Sequence, residues 1–245
     1  MKIALIGCGS TGKEIIETAN VRNDEIVRVF TSGMPVTPYN RVEADVFIDF
    51  STSAAVLHNV QTAAVLGVPI VIGTTGWHNK AAEVRKIIED SGIGCVYGSN
   101  FSLGANLMFS IARYAASLAQ AVGGYDAGIY EAHHKGKADS PSGTALTLAE
   151  SIMKELSWKK EIVAGNLGRA VQQQELHIGS LRVGSIFGQH SAIFDADSDT
   201  LEITHTAKNR KGFALGALQA AEWITNKKGM YNFSEYFLTI IGNQT

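Results

Sequence analysis

Short, wholly apolar runs alternate with helix-period segments over the first hundred residues of this chain. Ile3–Ile6, Val46–Phe50, Pro69–Ile72 and Ile93–Tyr97 are apolar at nearly every position, Asp49 being the polar break, and Glu25–Phe30 adds a β-branched run. Thr11–Asn20, Ala54–Leu66 and Asn79–Ser91 carry apolar residues at helical spacing, and Gly33–Asn40 reads as a loop. Strands apolar on both faces need cover on both faces, and strands separated by helices pair in parallel. The pattern predicts an α/β, Rossmann-like doubly wound sheet over residues 1–101.

The period then changes. Leu103–Ala121 reads as one long helix, Ala127–Ala132 as a strand and Gly143–Leu156 as a second helix. Glu175–Arg182, Gly184–Phe194 and Thr200–Thr206 follow as strands joined by short turns. Strands without intervening helices favour a mixed or antiparallel sheet, so residues 102–209 are expected to form a second, α+β domain. Phe213–Thr225 and Ser234–Ile241 read as helices, and 210–245 is expected to pack back on the first domain.

The bulk numbers narrow the functional classes. The 245 residues are 45% hydrophobic and 18% charged, a globular composition, with a formal net charge of −2. That charge argues against a nucleic-acid binder, so an anion site must be a local concentration of positive charge. No apolar run approaches the ~20 residues of a membrane helix. The opening Met1–Gly7 reads as a strand running into a turn, without the pattern of a cleaved leader. Cys8 and Cys95 both lie in strand-like apolar runs with no C-x-x-C pair, which predicts two buried free thiols in a reducing compartment. A cytoplasmic location is expected.

Gly7-Cys8-Gly9-Ser10-Thr11-Gly12 is a G-x-G-x-x-G turn placed after a strand and before a helix, the context that makes this motif informative. Gly7 permits the turn, Gly9 lets the backbone approach a pyrophosphate, and Gly12 lets helix and strand pack closely. The helix start offers free N–H groups and positive potential. Where an acidic residue would bind ribose hydroxyls, the second strand ends in Thr31-Ser32-Gly33. Thr31 and Ser32 can donate to a phosphate and Arg41 follows, so the expectation leans to NADPH while leaving NADH open. Gly73, Thr74 and Thr75, and Gly98, Ser99, Asn100 and Phe101, follow two further strands where a dinucleotide would pass.

Glu131-Ala132-His133-His134-Lys135-Gly136-Lys137 holds four potential cations, and Pro141-Ser142-Gly143-Thr144 starts a helix just beyond, with proline near its first turn. Hydroxyls and helix-start N–H groups form a seat for a carboxylate or phosphate, lysine adds a point charge, and histidines exchange protons near neutral pH. His-His also suits a metal, but no third ligand has motif spacing, so none is expected.

E-A-H-H-x-x-K-x-D-x-P-S-G-T-A resembles the signature of the dihydrodipicolinate reductase (4-hydroxy-tetrahydrodipicolinate reductase) family of the bacterial lysine pathway. The resemblance extends through the glycine loop, Ile72–Gly76, Asn100–Asn106, Arg182-Val183-Gly184 with Gly188-Gln189-His190, and Arg210 with Phe213–Ala217. It implies reduction of a cyclic dicarboxylate by NADPH or NADH, the nicotinamide facing an interdomain cleft. His133 would be the general acid/base and Lys137 the proton donor. His134, Lys137, Ser142, Gly143 and Thr144 would hold the substrate carboxylates, and Gly7–Gly12, Gly73–Thr75 and Gly98–Phe101 the cofactor. It also implies a homotetramer assembled through the second domain's sheet. Arg182, Gly188, His190 and Arg210 match family positions without an assigned role. The phosphate loop departs from many members in having Ser10 and Thr11 where a basic residue is common; Lys13 is the nearest. Two rivals remain: a dehydrogenase of another small amino or keto acid, and a non-catalytic NAD(P) sensor that needs no acid/base cluster.

Overall fold

The computed structural model describes residues 1–40 and 42–242. Arg41, invoked above for the cofactor, and residues 243–245 lie outside them. The chain forms two compact units, Met1–Leu103 with the segment from Arg210 onward, and Gly104–Asn209.

The first unit is a six-stranded parallel sheet. Its strands are β1 (Lys2–Ile6), β2 (Glu25–Phe30), β3 (Val46–Asp49), β4 (Ile70–Ile72), β5 (Gly94–Tyr97) and β11 (Gly229–Asn232), in the spatial order β11-β5-β4-β3-β1-β2. Strand alternation divides its apolar residues between two cores. Ile3, Leu5, Val46, Ile48, Val71 and Val96 face α1 (Ser10–Arg22) and α6 (Lys211–Ile224). Ala4, Ile6, Phe47, Ile70, Ile72 and Cys95 face α2 (Val56–Leu66) and α3 (Ala81–Ser91). Cover on both faces accounts for the unbroken apolar runs of β1, β3 and β4. Phe233 and Tyr236 of α7 (Phe233–Gly242) bury their rings in the first of these cores. The β11 edge escapes sequence reading because Gly229-Met230-Tyr231-Asn232 has no alternation; pairing with β5 makes it a strand.

The second unit opens with α4 (Leu103–Val122) and holds a five-stranded mixed sheet of β6 (Asp126–His133), β7 (Glu161–Ala164), β8 (Glu175–Arg182), β9 (Gly188–Asp195) and β10 (Thr200–Ala207), ordered β10-β9-β6-β8-β7. β6, β8 and β7 run parallel, while β9 is antiparallel to both β6 and β10. Ala127, Ile129, Leu176, Ile178, Ala192 and Phe194 form one apolar face, covered by Leu148, Ala149 and Ile152 of α5 (Gly143–Met153). β7 is another short strand without a periodic signature. Gly184 adopts φ +53° in the turn before β9, so the strand expected from Gly184 starts at Gly188.

Candidate active site

Register aligns the loops of the first unit. Phe30, Ile6, Asp49, Ile72 and Tyr97 are cross-strand partners in sequence, so the segments that follow them leave the sheet from one row at its carboxyl edge. The strand order reverses at β1, where such sheets bind ligands. The Gly7–Gly12 turn leaves from there. Gly7 sits at φ +97°. A Cβ on it would lie 2.3 Å from the Phe50 carbonyl oxygen, and one on Gly12 2.4 Å from that of Gly7. A Cβ on Gly9 would meet nothing within 4 Å, and Gly9 caps α1 without a side-chain acceptor. The turn is therefore packed on the protein side and open on the other, with helix-start N–H groups available, which fits a pyrophosphate. Thr31 and Ser32 are exposed in a tight turn closed by paired hydrogen bonds between Thr31 and Met34.

Thr74, Thr75, Gly98 and Ser99 line one depression, completed by Trp77, His78, Tyr97 and Asn232, which sequence reading did not select. Several expected contacts take other roles. Thr74 is buried; its hydroxyl donates to Asp49 Oδ1 at 2.9 Å and accepts from Ser51 N at 2.8 Å. Gly73 gives way to the Phe50 ring, which a Cβ would strike at 2.1 Å. Phe101 is a core residue, its ring 4.5 Å from that of Phe233, so its side chain offers no cofactor wall. Asn100 Oδ1 accepts from Ser102 N at 2.9 Å. Cys8 is exposed in the glycine turn rather than buried; Cys95 is buried as expected, and burial pushes its thiol pKa up.

The His-His-Lys segment lies in the second unit, where strand periodicity builds a polar extension of the apolar core. Along β6, Ala127, Ile129, Glu131 and His133 share one face. Glu131 pairs with Ser180 of β8 on one side and His190 of β9 on the other, and His133 pairs with Arg182. Glu131 is fully buried. Its Oε1 accepts from Arg182 Nη2 at 2.7 Å, Ser180 Oγ at 2.8 Å and Ser142 N at 3.2 Å. Its Oε2 is 2.8 Å from His133 Nδ1, ion-pair distance without hydrogen-bond alignment, and 3.8 Å from His190 Nε2. Burial alone would raise the Glu131 pKa; the hydrogen bonds from Ser142, Arg182 and Ser180 overcome it and hold the carboxylate at about 2. Burial pushes His133 below the ordinary histidine value; Glu131 opposes this, while Lys137 and Arg182 reinforce it. Burial, then His133, takes His190 down to about 4.

His134 is exposed, and the partly exposed Lys137 follows on the same turn, its Nζ 2.8 Å from Asp139 Oδ1. Ser142 proves to be the N-cap of α5 rather than an outward donor. It is 1% exposed, its Oγ accepts from Ala145 N at 3.2 Å and lies 3.1 Å from His190 Nε2, and its N–H is spent on Glu131. Pro141 precedes this cap and so lies outside the helix. The start of α5 is open beyond this cap: a Cβ on Gly143 would meet nothing within 4 Å. Thr144 follows in the first turn.

Sequence reading gave no role to Glu131, Arg182, Ser180 or His190, which meet only through strand register. Among the described residues, Glu131, His133 and His190 also form a set of potential metal donors, their ligand atoms within 4.8 Å of one another. The third donor comes from β9, far outside any local spacing. Arg182 on the same carboxylate opposes a cation there. Among the described residues, no helix is long and apolar enough to cross a membrane.

Comparison with known proteins agrees with this geometry. Residues 1–101 match the family model for the dihydrodipicolinate reductase N-terminus and residues 104–237 that for its C-terminus. The chain is 37% identical over 243 residues to the 4-hydroxy-tetrahydrodipicolinate reductase of Christiangramia forsetii, covering 99% of this chain and 100% of the relative. It is 38% identical over 238 residues to that of Methanosarcina acetivorans, covering 95% and 88%. A dipicolinate-bound dihydrodipicolinate reductase from Paenisporosarcina sp. TG-14 superposes with a TM-score of 0.76 at 25% identity, covering 95% of this chain and 97% of that one. An engineered D-amino acid dehydrogenase bound to NADP+ shares the fold alone, at 14% identity and a TM-score of 0.54.

Proposed function

The chain belongs to the dihydrodipicolinate reductase family, and from that premise we infer that it is an NAD(P)H-dependent oxidoreductase that reduces 4-hydroxy-tetrahydrodipicolinate to tetrahydrodipicolinate in diaminopimelate and lysine biosynthesis. Among the rivals, the amino-acid dehydrogenase likeness is one of fold alone. A cofactor sensor leaves the buried acid/base cluster without a use.

The open side of the glycine turn at Gly9 supports cofactor binding by Gly7–Gly12, with Thr31, Ser32 and the depression at Thr75 and Ser99 receiving its remaining parts. Bound NAD(P)H supplies the hydride for C4 of the substrate ring. Lys137, His134 and the α5 start at Gly143 and Thr144 hold the two carboxylates. Ser142 builds that start from within. Loss of the 4-hydroxyl together with a proton from the neighbouring ring carbon, as water, gives the conjugated imine, and the negative charge that the hydride brings to it is quenched by one proton. The observation that carries this reading is the placement of His133 and the Lys137 turn at the carboxyl end of β6, with the capped start of α5 bonded to the same carboxylate as His133's neighbours. Burial disfavours the charged form of the His133 ring, so we assign proton delivery to Lys137, with His133 as the adjoining acid/base.

The absence of an acid at Thr31-Ser32 supports NADPH over NADH, by at least about tenfold in kcat/KM, since a lost charge–phosphate repulsion and two gained donors together exceed about 1.4 kcal/mol. Steady-state rates with each cofactor check this, and equal efficiencies or an NADH preference reverse the lean. In the same assay, 2,6-pyridinedicarboxylate is expected to compete with the substrate; inhibition that ignores substrate concentration would remove the carboxylate seat from the assignment.

A homotetramer built through the mixed sheet is supported by the face turned away from α5, where Leu181 is exposed and Tyr130 and Ile193 are half-buried. A native mass near that of one chain would exclude it. The biosynthetic role and the free thiols Cys8 and Cys95 support a cytoplasmic location, which cell fractionation checks.

A further inference from the structure

Glu131 is a fully buried charged side chain of the second unit. A carboxylate without any exposed surface is costly unless every lone pair is met. Here three donors from two elements converge on one oxygen: Arg182 and Ser180 of β8, and the backbone N–H of Ser142 at the α5 cap. The other oxygen has no hydrogen-bond partner and points at two imidazoles, His133 Nδ1 at 2.8 Å and His190 Nε2 at 3.8 Å. The His133 and His190 rings stand edge to face, 5.1 Å between centroids, and His190 also reaches the Ser142 hydroxyl.

We propose that Glu131 is a positioning residue that ties the acid/base imidazole of His133 to the carboxylate-binding start of α5, with Arg182 as its fixed counter-ion and His190 as a neutral spacer. One oxygen locks the helix cap that receives substrate carboxylate; the other fixes the orientation and charge environment of the His133 ring. Substrate binding and proton transfer then share one rigid mount. Pinning by Arg182 keeps Glu131 anionic and sets how much of its charge the ring feels. This inference rests on the reading of His133 as the acid/base.

The groups facing His133 are Glu131 on its own strand, Arg182 on β8, His190 on β9, and Lys137 and Asp139 on the following loop. Among them Glu131 favours the protonated ring and Arg182 disfavours it. Opposite shifts are therefore expected from two changes that each remove one charge. In Glu131→Gln, which keeps an acceptor for Ser142, Ser180 and Arg182, His133 should titrate at lower pH than in the wild type, by about one unit or more. In Arg182→Gln it should titrate at higher pH. Both variants should lose about tenfold or more in kcat, with NADPH affinity unchanged.

The measurement is the ring 1H–13C titration of the histidine-labelled enzyme, His133 being assigned by the signal that His133→Gln removes. A merely structural glutamate would lower activity without moving the ring in opposite directions. Unshifted titration in both variants, or shifts of the same sign, overturns the proposal. If calorimetric melting shows that Glu131→Gln has not folded, Arg182→Gln alone decides, by an upward shift or none. The rate of His133→Gln tests the underlying reading separately: a wild-type rate removes His133 from the chemistry whatever its ring titration does.

Discussion

Lys137→Ala is expected to lower kcat by about 10²-fold or more while leaving the fold intact. A positioned proton donor contributes about 10²–10⁴-fold, and alanine removes that contribution. The side chain lies on the loop after β6, its backbone N–H bonded to the His134 carbonyl and its ammonium on Asp139. Asp139 is held below the usual carboxylate range chiefly by that lysine, but it is 57% exposed, so the pair adds little to stability. Removing Lys137 should therefore leave the melting temperature and NADPH binding near wild type. Lys137→Arg divides the two duties of the residue. It keeps the positive charge for a substrate carboxylate, so KM should stay within a few-fold, but a guanidinium does not give up its proton, so kcat should fall almost as far as in the alanine variant. Saturation kinetics at fixed NADPH separates these. A Lys137→Ala rate within a few-fold of wild type would take the lysine out of the proton transfer.

What was legible in the sequence was what is local. The parallel sheet follows from apolar runs that are buried on both faces, as β3 and β4 are throughout. The glycine turn follows from three glycines at fixed offsets between a strand and a helix, and the start of α5 from Ser142 and the small residues after it. The parts that escaped are those made by register. Arg182 and His190 lie about fifty residues or more along the chain from Glu131, and nothing local in either position says that β8 and β9 flank β6. Only pairing brings them onto one carboxylate. Ser142 and Thr74 show the converse limit. Both are hydroxyl residues in loops expected to meet ligand, yet the fold turns both inward, one to cap α5 and the other to bind Asp49. Phe101 followed a strand end and looked available, but the packing of Phe233 claims it. β7 and β11 are four-residue strands whose identity comes from their neighbours, too short to carry a period.

Gly7→Ala is expected to destabilise the first unit by about 3 kcal/mol, whereas Gly9→Ala should leave stability unchanged and weaken cofactor binding. Two penalties coincide at Gly7. An alanine there must hold φ +97°, a conformation that costs about 1–3 kcal/mol for a residue with a Cβ, and that Cβ would lie 2.3 Å from the Phe50 carbonyl oxygen. Backbone cannot rotate away as a side chain can, so β1 and β3 must separate at their carboxyl ends, adding an overpacking cost of about 1–3 kcal/mol. For a chain of this size about 3 kcal/mol corresponds to a fall of roughly 6–12 °C in Tm. Gly9 has φ −74° and open space around its Cβ position, so alanine meets neither penalty. The same open space is where the backbone must come against the pyrophosphate, and a methyl group there holds the phosphates off the N–H groups of α1. Losing one charge-assisted hydrogen bond of about 1.5–3 kcal/mol weakens binding by roughly 10- to 100-fold. Calorimetric melting of the two variants, with NADPH titration of each, makes the comparison. A Gly9→Ala protein that binds NADPH as tightly as wild type would mean that the dinucleotide does not lie on this turn.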